Sequence, residues 1–157
     1  MIAPLQLHDF ETQTLAYERI EAEPPPEDAD VGVGLGFEID AEVDEERDAQ
    51  RIDLLVSYNE EDIPEDVEPY IKHRGRLRIT GWLHWFDEEF AEREDAERLL
   101  LTNGLTMLYG IARVRIADLT EGDGQLILPS VSFLPIVEDW LEEEKRSSDE
   151  ESEPASD

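Results

Sequence analysis

Residues 31–44, VGVGLGFEIDAEVD, alternate without interruption. Val31, Val33, Leu35, Phe37, Ile39, Ala41 and Val43 fall on one side, with glycines and acids on the other. A period of two over that length predicts a long strand with one wet face. The polar run EERDAQ turns the chain. Residues 51–58 then place Ile52, Leu54, Val56 and Tyr58 on one face, which makes the pair an antiparallel hairpin. Upstream, Leu5 and Leu7 alternate, Phe10 breaks the phase, and Leu15 and Tyr17 resume it. Such a break predicts a bulge or twist in a strand. The acidic, proline-rich segments 21–30 and 59–69 read as connectors. Residues 70–86 form a further long strand, with Leu77, Ile79 and Leu83 on one face and Arg74, Arg76, Arg78, Thr80, Trp82 and His84 on the other.

The period lengthens to about 3.6 after Asp87, a suitable helix N-cap. The pattern predicts a helix over 87–101, a break at Asn103–Gly104, and a second helix over 105–119 with Leu105, Leu108, Ile111, Ala112, Ile116 and Leu119 on one stripe. An extended apolar connector, QLILPSVSFLP, leads to a short helix over 136–146. The remainder, 147–157, lacks apolar residues in any pattern and is expected to be a disordered acidic tail behind a folded domain of 1–146. Strands first and helices last predict an α+β fold, an antiparallel sheet with helices packed on one face.

Composition changes the functional picture. The chain has 157 residues, 42 Asp+Glu against 13 Lys+Arg, and a net charge of −29. Nucleic-acid binding through a basic surface is excluded by repulsion from the phosphates. With 39% apolar residues in periodic blocks, the charge coats a folded body. Eleven of the thirteen basic residues are Arg, and acid excess with scarce Lys resembles the proteins of salt-in halophiles. There is no Cys, which removes disulfides, thiolate zinc sites and a Cys nucleophile. No apolar run is long enough to span a membrane, and the N-terminus lacks signal-peptide character, so a cytoplasmic protein is expected.

Candidate chemistry is sparse. GVGLG at 32–36 lacks the dinucleotide-binding spacing and sits inside a strand, where its glycines make a flat place for Trp82 or His84 to lie over. Asp28, Asp30 and Gly32 begin like a calcium loop, but its twelfth position is Ile39. His8, His73 and His84 stand apart without metal-ligand spacing, so no metal or other cofactor is expected. No catalytic constellation emerges, and an enzyme is not expected. KHRGRLR at 72–78 reads as a docking patch for an acidic partner or as a charge ladder against Asp53 and neighbouring acids; the ladder is preferred. Trp82, Trp85, Phe86 and Phe90 concentrate where sheet gives way to helix, and Trp82 and Trp85 have opposite parity. Both tryptophans are candidates for an apolar groove; a secondary core or an oligomer contact remains open.

LQLHDFETQTLAYE at 5–18, the long alternating strands, and the succession helix, extended L-P-x-V-x-F segment (Leu128, Pro129, Val131, Phe133), amphipathic helix and acidic tail together resemble the SecB family of export chaperones. Ser132 stands where that family usually has Asn, and one extra residue separates the proline from the valine. The resemblance implies a four-stranded antiparallel sheet with helices on one side and a homotetramer built as a dimer of dimers. It also implies ATP-independent holding of unfolded preproteins or other client polypeptides in apolar grooves. The SecA motor is the partner of export members, and an antitoxin the dedicated partner of others. Val33, Leu35, Phe37, Phe133 and Val137 are the implied groove residues. A small ligand-binding or enzymatic α+β domain remains the alternative outside the family.

Overall fold

In the computed structural model, residues 5–152 are described, apart from 30 and 123. Four strands form one antiparallel sheet: β1 (Leu5–Arg19), β2 (Leu35–Asp44), β3 (Ala49–Tyr58) and β4 (His73–Trp85), in the order β1-β4-β3-β2. β2, β3 and β4 make a meander, and β1 returns beside β4 in the manner of a Greek key. Helices α1 (Glu88–Ala91), α2 (Ala96–Leu119) and α3 (Leu134–Ser152) follow. The α+β fold with helices on one face of a four-stranded antiparallel sheet is therefore present.

The alternation of β3 and β4 builds the core. Ile52, Leu54, Val56, Tyr58, Leu77, Ile79 and Leu83 are buried together with Leu101, Leu105, Leu108, Ala112 and Ile116 of α2. Leu119, expected on the same helical stripe, is 42% exposed at the helix end. Two register shifts interrupt β1, between Leu7 and Asp9 and between Thr14 and Ala16, where the broken phase predicts irregularity. The connector after β1 stays close to β4, since Ile20 N donates to Lys72 O at 2.7 Å and Glu23 N to Pro69 O at 2.9 Å.

Several element boundaries differ from the sequence pattern. β2 starts at Leu35 rather than 31, because its partner β3 ends at Tyr58. Asn59 then turns with φ of 53° and satisfies Gly34 at both ends, accepting from Gly34 N through Oδ1 and donating its own N–H to Gly34 O. Upstream of Gly34 the ladder has no partner among the described residues. Asn103–Gly104 is no break: α2 runs through it, with Asn103 Nδ2 donating to Leu99 O at 2.8 Å. Gly104 faces the sheet, where a Cβ would lie 2.8 Å from Ile52 Cδ1 and 3.0 Å from Leu83 Cδ2, so the glycine sets helix-to-sheet distance. The interruption falls earlier, at residues 92–95, leaving α1 a single turn capped by Asp87, whose carboxylate accepts from Glu89 N.

Finally, α3 begins at Leu134 and continues to Ser152, six residues beyond the expected end at 146. Arg146 pairs with Glu142 one turn back, and the Ser147 and Ser148 hydroxyls bond to Glu143 O and Glu144 O. Local i, i+4 contacts thus carry the helix into the segment expected to be disordered. Residues 153–157 of that tail lie outside the described residues.

Candidate functional site

The helix side of the sheet carries a half-covered apolar strip along β2. Because β2 is an edge strand, its outer N–H and C=O groups have no partner strand among the described residues. Val33, Leu35, Phe37, Ile39 and Ala41 are each partly buried against the core. Phe37 meets Tyr109 at 5.6 Å and Phe133 at 5.4 Å between ring centroids, and Tyr109 meets Phe133 at 5.5 Å, all edge-on. Such pairs each contribute about 0.5–1.5 kcal/mol beyond burial. Tyr109 Oη donates to Pro129 O at 2.7 Å and Arg113 Nε to Leu128 O at 2.9 Å, which lays the extended connector along α2 and delivers Phe133 to the trio. Burial raises the Tyr109 phenol above its ordinary pKa, against the opposing pull of Arg113.

Beyond Ala41 the strip opens into a groove of about 670 Å³ between the β2–β3 hairpin, the end of β4, the start of α2 and α3. Its floor is apolar, with Leu83, Trp85, Leu100, Leu101 and Trp140, and Val43 stands 71% exposed at its edge. The rim is polar: Asp48, Gln50, His84, Arg93, Glu94, Glu97 and Glu144. Arg93 is committed to Asp95 through contacts of 2.8 and 3.0 Å, which hold that carboxyl below its usual range and raise the guanidinium. The uncompensated rim is therefore acidic.

Of the residues singled out in the sequence, Val33, Leu35, Phe37, Phe133 and Val137 share one hydrophobic cluster. Phe133 and Val137 are only 1% exposed, so they form the bed beneath the strip rather than its surface. Trp85 lies at the groove and stacks near Phe90, at 6.2 Å. Trp82 is not among them. It sits on the opposite sheet face, 6% exposed, under the Arg47 guanidinium at 3.8 Å, with Nε1 donating to Asp44 at 2.8 Å. Nor does Trp82 or His84 lie over the glycines of β2: a Cβ on Gly36 would meet Ser57 of the adjacent strand instead. Sequence reasoning missed Leu83, Leu100, Leu101 and Trp140 as groove floor. The first three look like any core leucine, and only the tertiary path leaves a hollow above them.

The other cationic and polar groups serve the scaffold. Arg74 pairs with Glu18 and Arg76 with Glu60, while Asp53 takes Arg51 and the Thr80 hydroxyl, so the charge ladder exists with altered partners. Burial opposes the charge of Arg51, but Asp53 and Glu42 outweigh it and raise its pKa. Buried Asn59 and Thr120 bond to backbone, Nδ2 of Asn59 donating to His73 O and Oγ1 of Thr120 accepting from Leu126 N. His73 contacts the Tyr17 hydroxyl at 3.1 Å. Arg51 and Asp53 line a pocket of about 340 Å³ with Glu38, Asp40 and Arg78, and the described residues contain no group of three or more metal-ligating side chains. Among them, no helix is long and apolar enough to cross a membrane.

No protein-family model matches the chain, and no curated protein matches it. A solved structure of the SecB-like chaperone Rv1957 of Mycobacterium tuberculosis, in complex with a ChAD peptide from the Rv1956 HigA1 antitoxin, is similar at 17% identity and a TM-score of 0.48. The match covers 82% of this chain and 91% of that one.

Proposed function

We propose that the protein is an ATP-independent holdase that captures unfolded polypeptides along the β2 strip and the Trp85–Trp140 groove. The carrying observation is an apolar strip beside an open strand edge, continuous with an apolar floor inside a polar rim. An extended client pairs its backbone with the free edge of β2 and buries alternate side chains on the strip. Each large apolar side chain so buried contributes about 1.5–3 kcal/mol. The sequence resemblance to SecB chaperones supports the same reading. It extends it to a cytoplasmic homotetramer, not an enzyme, that passes preproteins to the SecA motor. A chaperone dedicated to one antitoxin uses the same surface, and a pull-down that recovers one partner rather than many separates the two.

Light scattering of an aggregating client in high salt tests the proposal. Suppression at one tetramer per client is the expected result, and Val43→Asp, at a position 71% exposed and outside the core cluster, should weaken it while leaving the core intact. Aggregation unchanged by the wild-type protein refutes the reading.

A further inference from the structure

Two histidines far apart in sequence meet on the sheet face opposite the helices. His84 lies on β4 opposite Gln6, and the β1 register shift between Leu7 and Asp9 inserts His8 beside it. Bulges commonly re-aim a side chain in this way. The rings stand 4.9 Å apart between centroids with their planes at 80°. A metal–nitrogen bond of about 2.0–2.1 Å, with about 1.1 Å more to the ring centre, puts two imidazoles on one ion about 4.5–5.2 Å apart for bond angles of about 90–110°. The observed spacing falls in that range. Neither ring makes a hydrogen bond or ion pair with another described residue, so its nitrogens are uncommitted.

The surroundings favour access and charge balance. His8 is exposed, His84 is half-buried, and both line an open hollow with Asp9, Arg47, Trp85 and Phe86. Arg47, the cation facing the pair, is neutralised by Asp9 at 3.3 Å and Asp44 at 3.9 Å. We propose that His8 and His84 chelate one divalent transition-metal ion of the copper, nickel or zinc type, with water in the remaining positions. No third protein ligand joins them among the described residues. Two neutral imidazoles select against magnesium and calcium, which take oxygen ligands.

Titration of the full chain with Cu²⁺, in molar NaCl with excess Mg²⁺ to occupy the carboxylates, tests the site. One equivalent should bind, quench the fluorescence of Trp85 in the same hollow, and show two nitrogen ligands by electron paramagnetic resonance. Loss of an outer partner alone costs about 10–100-fold in metal affinity, so His8→Ala and His84→Ala should each weaken binding at least about tenfold. Circular dichroism checks that both variants fold. Unchanged affinity in the folded single variants, or a wild-type spectrum without two nitrogens, overturns the assignment.

Discussion

A methyl group at Gly75 would overlap the Ala16 carbonyl oxygen of β1 and lie 2.7 Å from Tyr58 Oη. Neither neighbour has room to retreat, since one is backbone and Tyr58 is 1% exposed. Gly75→Ala should therefore destabilise the fold by about 1–3 kcal/mol in urea unfolding. The same change at Gly110 should act in the other direction. Outside its chain neighbours and the helix's own backbone, no heavy atom lies within 4 Å of its Cβ position, and alanine there gains about 0.5–1 kcal/mol of helix preference. Asp44 gives a pH-dependent counterpart. The indole hydrogen bond from Trp82 is the largest cause of its lowered pKa, with bonds from the Arg47 region adding to it against desolvation. A carboxyl lowered in the folded state stabilises above the unfolded value of about 3.9, and that contribution disappears as pH falls through the folded pKa. Carboxyl chemical shifts should show Asp44 titrating below the ordinary range, and Trp82→Phe should move it back up.

At the scale of elements, α2 is the place where a highly acidic chain runs out of charge. Residues 99–112 contain no ionisable acid or base except Tyr109, and no acid occurs from 98 to 117. The inward face is core, whereas Met107 and Val114 on the outer face are 37% and 59% exposed. If the proposed tetramer assembles through this acid-free face, added charge should break the contact. Met107→Glu and Val114→Glu should then shift size-exclusion light scattering from near four chains toward smaller species without lowering helix content. An unchanged mass would place the contact elsewhere. The helix itself was only partly legible in the sequence: the apolar stripe of Leu105, Leu108, Ala112 and Ile116 showed, but Asn103–Gly104 resembled a break. Its real role, close packing on Ile52 and Leu83, depends on a partner distant in sequence. The β3 face and the opposite parity of Trp82 and Trp85 were readable from a period of two, which is local. The convergence of Phe37, Tyr109 and Phe133 and the meeting of His8 with His84 follow from topology and from a bulge, which no local pattern encodes.

For the molecule as a whole, the charge of −29 poses a question of solvent rather than of contacts. Five acids lie in 147–157 and residues 144–146 carry a net +1, which leaves −25 on residues 1–143. Arg47, Arg51, Arg74, Arg76, Arg93 and Arg98 pair with carboxylates at the surface. Such exposed pairs are worth about 0–1 kcal/mol each. With 42 acids against 13 bases, most carboxylates have only like charges for company. Salt weakens both effects, since the Debye length falls from about 10 Å at 0.1 M to about 3 Å at 1 M. Repulsion among many unpaired acids outweighs a handful of solvent-screened pairs, and repulsion is what salt relieves. Thermal unfolding should therefore shift upward with NaCl, by about 5 °C or more across that range, given about 2–4 °C per kcal/mol for a chain of this size. A protein held together chiefly by its arginine pairs would instead lose stability over the same titration. Holding activity measured alongside should survive the added salt, because burial of apolar client side chains strengthens rather than weakens when salt is excluded from the protein surface.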